Sequence, residues 1–421
     1  MKKSYLFAFV LSLLLFSACD NEFDFDDPEE NSGRLRTASM EKTTISDKEV
    51  TVVWRGSQSG MYTNTKCIMY PDLEPEKYTL YQSFDAEKNF TKVVEYKNKK
   101  DSYFEYTIKG LTNGKPVYFY VESSRKKYDS EVSPTIMVIP NRETKSQLIY
   151  EESVAGEYIN MLRYCPVNKK VAYNSYINGS GIKPLIIANL DGSERELVNE
   201  NRSLYDIRWS SDGNMIVYSA VIGSDKAIIM YDLTTKEESI LFTQPDKYMF
   251  HLAISPDSKK ILYSSLENAV EYKFAIRMFD RETKELTTVL TQENYYGLES
   301  IEWINNEEFL FEARESIDGQ AHSCIYKASI NSDKREKIIQ SKWLDTYIAL
   351  SPDKARITFC SNRSGSTQLW VYDIEKKEFN QLTGFDVNQR DTYGISYPGW
   401  INDHTLYYLE NARNIRTLTI D

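Results

Sequence analysis

Six times between Leu162 and the end of the chain, the same run of short apolar segments recurs. No other feature narrows the possible folds so far. The clearest copy is "IALSPDKARITFCSNRSGSTQLWVYDIEKKEFNQLTG", residues 348 to 384. Ser351-Pro352-Asp353 opens one tight turn and Arg363-Ser364-Gly365-Ser366 a second. Ile348 and Leu350 precede the first turn, and Ile357 and Phe359 alternate after it. Leu369, Val371 and Ile374 follow the glycine turn, and Phe379 and Leu382 finish. Short β-branched and aromatic runs bounded by Pro, Asp, Ser and Gly are strands, so the unit has four. Residues 207–241 and 252–290 repeat the plan, and weaker copies open at Leu162, Ile301 and Pro398. The residue before the first turn is Tyr164, Trp209, Ile254, Trp303, Leu350 and Trp400, at spacings of 45, 45, 49, 47 and 50.

A lone four-stranded unit of this length cannot bury both its faces, whereas six arranged around an axis can. The period predicts a six-bladed β-propeller over 146–421. The sixth copy is one strand short, and "SQLIYEE" (146–152), just ahead of the first, supplies the missing outer strand. Closure would remove the strand edges that an open array leaves exposed. At these residues the chain resembles the TolB-like, WD40-like propeller family, whose blades read W-S-P-D-G before an apolar strand. Ser210-Ser211-Asp212-Gly213, Ser255-Pro256-Asp257 and Ser351-Pro352-Asp353 match the turn, and Tyr231-Asp232-Leu233 and Tyr372-Asp373-Ile374 the third strand. Blades one, four and six carry Asn168, Asn305-Asn306 and Asn402-Asp403 in its place. The resemblance implies the fold, and an envelope protein-interaction scaffold as one function. It does not choose among the many activities this scaffold hosts.

Lys2 and Lys3 followed by the apolar stretch Tyr5 to Phe16 read as a signal peptide, too short to span a membrane stably. Ser17-Ala18-Cys19 resembles a lipoprotein box, which implies cleavage after residue 18 and a lipid on Cys19. Residues 19–34 then read as an acidic tether, since "DNEFDFDDPEE" holds seven acids in eleven residues and no base. It resembles the acidic export signal of surface lipoproteins in Bacteroidetes, which implies an outer-membrane lipoprotein exposed on the cell surface.

Residues 35–140 carry a separate β pattern, in which Val50, Val52 and Trp54 alternate as one buried strand face would. Leu111, Asn113-Gly114, Phe119, Val121 and Ser133-Pro134 resemble the late strands of a fibronectin type III domain, with Val117 where that family has its corner tyrosine. The chain is therefore expected to be all-β, a fibronectin type III-like sandwich followed by the propeller.

The formal charge of −11 becomes −13 once Lys2 and Lys3 leave with the signal (−11 − 2). With no basic cluster, such a chain repels phosphates, which argues against a nucleic-acid partner. Cys67, Cys165, Cys324 and Cys360 fall in different strands without a C-x-x-C pair, as buried free thiols do. His251 and His322 fall on one rim of the predicted ring and His404 on the other, so three histidines cannot share a metal. No G-x-S-x-G elbow appears, and no cofactor is called for. The aspartates Asp212, Asp257 and Asp353 read as capping their own turns. Among 62 acids no catalytic pair stands out.

Aromatics gather on the connections into the inner strands. Tyr158, Tyr205, Tyr248 with Phe250, Tyr295 with Tyr296, Trp343 with Tyr347, and Tyr393 with Tyr397 fall there, with Arg202, Lys342 and Arg390 beside them. Flat amphipathic rings suit sugars or peptides, although rings beside inner strands also fill gaps between blades. The expected function is a lipid-anchored, non-catalytic envelope protein holding an extracellular glycan, a peptide or another envelope protein on this rim. The alternative is an extracellular glycan-active hydrolase or lyase with unidentified carboxylates.

Overall fold

The computed structural model describes residues 35, 37–56, 74–85, 88–99, 102–141, 146–153, 157–177, 183–198, 202–244, 248–268, 273–292, 295–317, 320–384 and 394–420. All regular elements among them are strands. The signal, Cys19, the tether and Cys67 lie outside the described residues.

The first unit is two facing sheets. One runs β1 (Ala38–Ser46), β2 (Glu49–Gly56) and β5 (Tyr103–Lys109); the other runs β4 (Thr91–Lys97), β3 (Lys77–Ser83), β6 (Val117–Ser124) and β7 (Glu131–Val132), with β8 (Ile136–Val138) also on β6. The alternation of Val50, Val52 and Trp54 places all three in one core with Tyr78, Leu80, Phe119 and Val121. Trp54 and Phe104 stack at 5.9 Å.

Six four-stranded antiparallel sheets follow, at the period read from the sequence. Their inner strands are Glu157–Cys165, Leu204–Trp209, Tyr248–Ile254, Tyr295–Trp303, Asp345–Leu350 and Ile395–Asn402, and each meets the next around a ring that closes from the sixth to the first. Each interface between neighbouring blades has its own apolar cluster. β9 (Ser146–Glu151) pairs with the last strand of the chain and completes the sixth blade. Its Tyr150 packs into the cluster between blades six and one. The ring of Tyr150 lies where a Cβ on Gly192 would be, and Gly192 has φ +79°, so both space and backbone require glycine there.

The turn chemistry is repetitive. Ser210 Oγ donates to Asp212 (2.5 Å) and accepts the amide of Met215 (3.0 Å); Ser255 with Asp257 and Ser351 with Asp353 do the same. The aspartates serve their turns, and that hydrogen bond holds Asp212 and Asp353 below the usual carboxylate range. The tryptophan before the turn has a second use. Trp209, Trp303 and Trp400 each donate Nε1 to an inner-strand carbonyl of the preceding blade, at Arg163, Ala253 and Ala349 (3.1–3.2 Å). Those bonds tie the inner strands in pairs where the ring is narrowest. Cys165, Cys324 and Cys360 are buried free thiols, and burial pushes Cys324 up to about 11.

The sandwich docks on blade five. Thr43 Oγ1 donates to the Ser364 carbonyl (2.8 Å), Met137 N to the Arg363 carbonyl (2.7 Å) and Ile139 N to Gln381 Oε1 (3.2 Å). Met137 and Ile139 join the core between blades four and five. Beneath them Arg363, 1% exposed, is ion-paired at 2.7 Å with fully buried Asp345 and ringed by Phe379, Phe359, Trp370 and Trp343.

Candidate functional site

The rim marked out by aromatics is only partly open. Trp343 is half-buried under the sandwich, its Nε1 donating to the Thr135 carbonyl (3.3 Å) and its ring beside Arg363 and Lys342. Tyr158 carries the Arg413 guanidinium on its face at 5.1 Å. Arg202 pairs with Glu238 at 2.6 Å and reaches the Tyr218 hydroxyl. Tyr205 is 37% exposed and meets Phe250, from the neighbouring connection, edge-on at 6.4 Å. Tyr248 and Tyr296 lie on inner strands, but their side chains are outside the described residues, as are Tyr393 and Arg390 altogether. Tyr347 and Tyr397, counted with the same rim, instead meet at 4.5 Å inside the ring.

The polar constellation lies deeper and opens the other way. Every inner strand slips register part-way along. At four of these bulges a non-glycine residue takes positive φ: Met161 (55°), His251 (50°), Tyr347 (57°) and Tyr397 (47°). A bulge re-aims the side chains beyond it. Past it, blades one, two and four carry Arg163, Arg208 and Glu302 two residues before the turn, where blades three, five and six have Ala253, Ala349 and Gly399. The missing Cβ at Gly399 is what makes room for Tyr407, whose hydroxyl accepts the Tyr164 amide at 3.1 Å.

Arg163, Arg208 and Glu302, with Tyr347, Ala349, Trp400 and Tyr407, line a cavity of about 390 Å³ bordered by turn residues Pro166, Ser211 and Pro352. It therefore opens on the rim away from the docked sandwich. Asp206 organises its wall. Its Oδ1 accepts the Ile207 amide (2.8 Å) and Arg208 Nη1 (3.1 Å), and its Oδ2 accepts the Leu252 amide (2.7 Å). Arg163 Nη2 stands 3.5 Å from Asp206, and Arg208 Nη2 stands 3.7 Å from Glu302. The Arg163 guanidinium also lies 5.5 Å over the Tyr397 ring.

The four charges sum to zero, but burial treats them unequally. It raises the pKa of Glu302, against the pull of Arg208 and Arg163. It also lowers Arg208, with Arg163 adding to the effect. On Arg163, burial is outweighed by Asp206, Tyr407 and Glu302, and the pKa rises. Among the described residues no group of three His, Cys, Asp or Glu is placed to hold a metal.

No protein-family model matches the chain, and no curated protein matches it. Solved structures are similar to it at low sequence identity. A structural-genomics protein of unknown function from Bacteroides thetaiotaomicron is 11% identical, with 94% of this chain and 99% of that one covered and a TM-score of 0.49. TolB from Acinetobacter baumannii is 16% identical over 74% of this chain and 78% of its own, TM-score 0.44. An oligogalacturonate lyase from Vibrio parahaemolyticus is 12% identical over 66% and 97%, TM-score 0.44.

Proposed function

We propose that the chain is a lipid-anchored, non-catalytic binding protein of the cell envelope whose ligand enters the propeller channel from the turn rim. The observation that carries this reading is the cavity walled by Arg163, Arg208 and Glu302. Its size suits a small ligand or the end of a larger one. Asp206 is consumed by two main-chain amides and a guanidinium, an arrangement that fixes a wall and leaves no free base. Glycoside hydrolysis needs two carboxylates with separate protonation states facing one bond, and here a guanidinium stands between the two. Replacing Ala349 by Trp would fill the cavity from a position with a small side chain. Ala349→Trp should lose at least tenfold in affinity for whatever a glycan array and a peptide library retrieve, with its melt within a few degrees of the parent. Undiminished binding by a folded Ala349→Trp would remove the channel from the account.

Glu302 favours the alternative, an enzyme acting on extracellular glycan, because a carboxyl pushed up by burial in an open cavity suits a general acid. In that case Glu302→Gln would keep ligand binding while abolishing release of shortened products.

The sheet order of the first unit, three strands facing a sheet in which β7 and β8 both pair with β6, supports the fibronectin type III-like reading of 35–140. With the sandwich seated on one rim and the cavity on the other, the segment that leads in from Cys19 joins the domain that leaves the mouth uncovered. Anchoring through Cys19 has its own test. Cys19→Ala should move the protein from the detergent phase to the aqueous phase on partitioning, and unchanged partitioning would refute the lipid.

A further inference from the structure

We infer that the group seated at the base of this cavity is the carboxylate of a small, hydroxylated ligand, held between Arg163 and Arg208; the inference rests on the channel reading above. A guanidinium carries N–H donors on all three of its nitrogens. Among the described residues this pair makes three hydrogen bonds of ordinary length: Arg163 Nη1 to the Leu162 carbonyl (3.0 Å), and Arg208 Nη1 to Asp206 and to the Ile207 carbonyl (both 3.1 Å). Nε of Arg163 and Nε of Arg208 are enclosed with no partner among the described residues. The two Nη2 atoms stand 3.5 and 3.7 Å from their carboxylates, well beyond the roughly 2.7–2.9 Å of a charge-assisted bond.

Arg208 is only 8% exposed, and unmet donors on a buried cation are costly. The site is short of acceptors. A planar two-oxygen anion matches a guanidinium fork, which is why arginine is the residue of carboxylate recognition. A doubly charged tetrahedral anion fits less well, because the Asp206 and Glu302 carboxylates stand within 4 Å of the same guanidiniums and would repel the second charge. Glu302, with no hydrogen bond to Arg208 at 3.7 Å, is placed to accept from a ligand hydroxyl. The rings of Tyr347, Tyr407 and Trp400 wall the remainder.

Titration calorimetry of the full chain with D-glucuronate, its amide glucuronamide, glucose and N-acetylglycine tests the claim without altering the protein. Glucuronate should bind, with the amide and glucose at least tenfold weaker. N-acetylglycine, which has no alcohol group, binding as well as glucuronate would support the carboxylate but overturn the hydroxylated ligand, placing the carboxylate's source in an amino acid rather than a sugar. Arg163→Lys keeps the charge and loses the fork. It should weaken glucuronate at least tenfold with an unchanged melt, a safer variant than any change at the more buried Arg208. Acid and amide binding equally, with both lost in Ala349→Trp, would overturn the carboxylate and leave the channel reading standing. No binding by any of the four probes would overturn the inference. If Ala349→Trp also left array binding untouched, the channel reading would fall with it.

Discussion

A chain that starts at Glu157 should aggregate, or melt on the order of 10 °C below one that starts at Asn141. Both have lost the sandwich, so the difference isolates β9. That strand pairs with the last strand of the chain across five residues. Just past it, the Glu152 amide donates to the Arg413 carbonyl at 3.0 Å. Its Ser146 hydroxyl meets the Tyr408 hydroxyl at 2.7 Å, and its Tyr150 fills the seam between blades six and one. At roughly 1 kcal/mol for each ladder hydrogen bond, about 4 kcal/mol is at stake before the exposed edge is counted. That edge would offer unpaired amides and carbonyls to any other chain. Equal melts by calorimetry would show that the ring holds without its outer closure.

Arg363→Ala should cost about 3–5 kcal/mol, the range for breaking a buried ion pair from one side. Asp345 is fully buried, and its Oδ1 already lacks a partner among the described residues. Without the guanidinium at 2.7 Å, Oδ2 would lose its partner too. The loss should also loosen the sandwich, because the same arginine packs against Trp343, whose indole reaches the Thr135 carbonyl. Replacing both members, Asp345→Leu with Arg363→Met, should recover most of the stability, since apolar residues of similar volume substitute well for a buried pair. Urea unfolding of the single and double variants reads this directly. A single variant within 1 kcal/mol of the parent would mean that the pair does not hold blade five.

The blades were legible because their signals are local. The serine–aspartate turns of blades two, three and five, and the tryptophan before the turn in blades two, four and six, act within a blade or on its immediate neighbour. Even the closing strand declared itself, as a strand-like segment ahead of a ring one strand short. The channel site was hidden by the bulges. Alternation along an inner strand assigns faces correctly only up to the register slip, after which the assignment no longer holds. Arg163, Arg208 and Glu302 nevertheless share one position in the repeat, two residues before the turn, where the other three blades have alanine or glycine. Aligning the blades to one another, rather than reading each strand for period, would have picked them out. Docking of the sandwich had no such signal: Arg363 and Ser364 read as an ordinary turn, and the residues they meet at Met137 and Thr43 lie hundreds of positions away.

The central claim is that ligand is held on the turn rim, and hydrogen–deuterium exchange of the full chain with and without bound ligand locates it most directly. The account predicts slowed exchange around 163–168, 208–213 and 349–354, where inner strands run into the turns that border the cavity. Protection confined instead to 202–205, 248–251 and 343–347, the connections on the opposite rim, would contradict it and return the site to the aromatics.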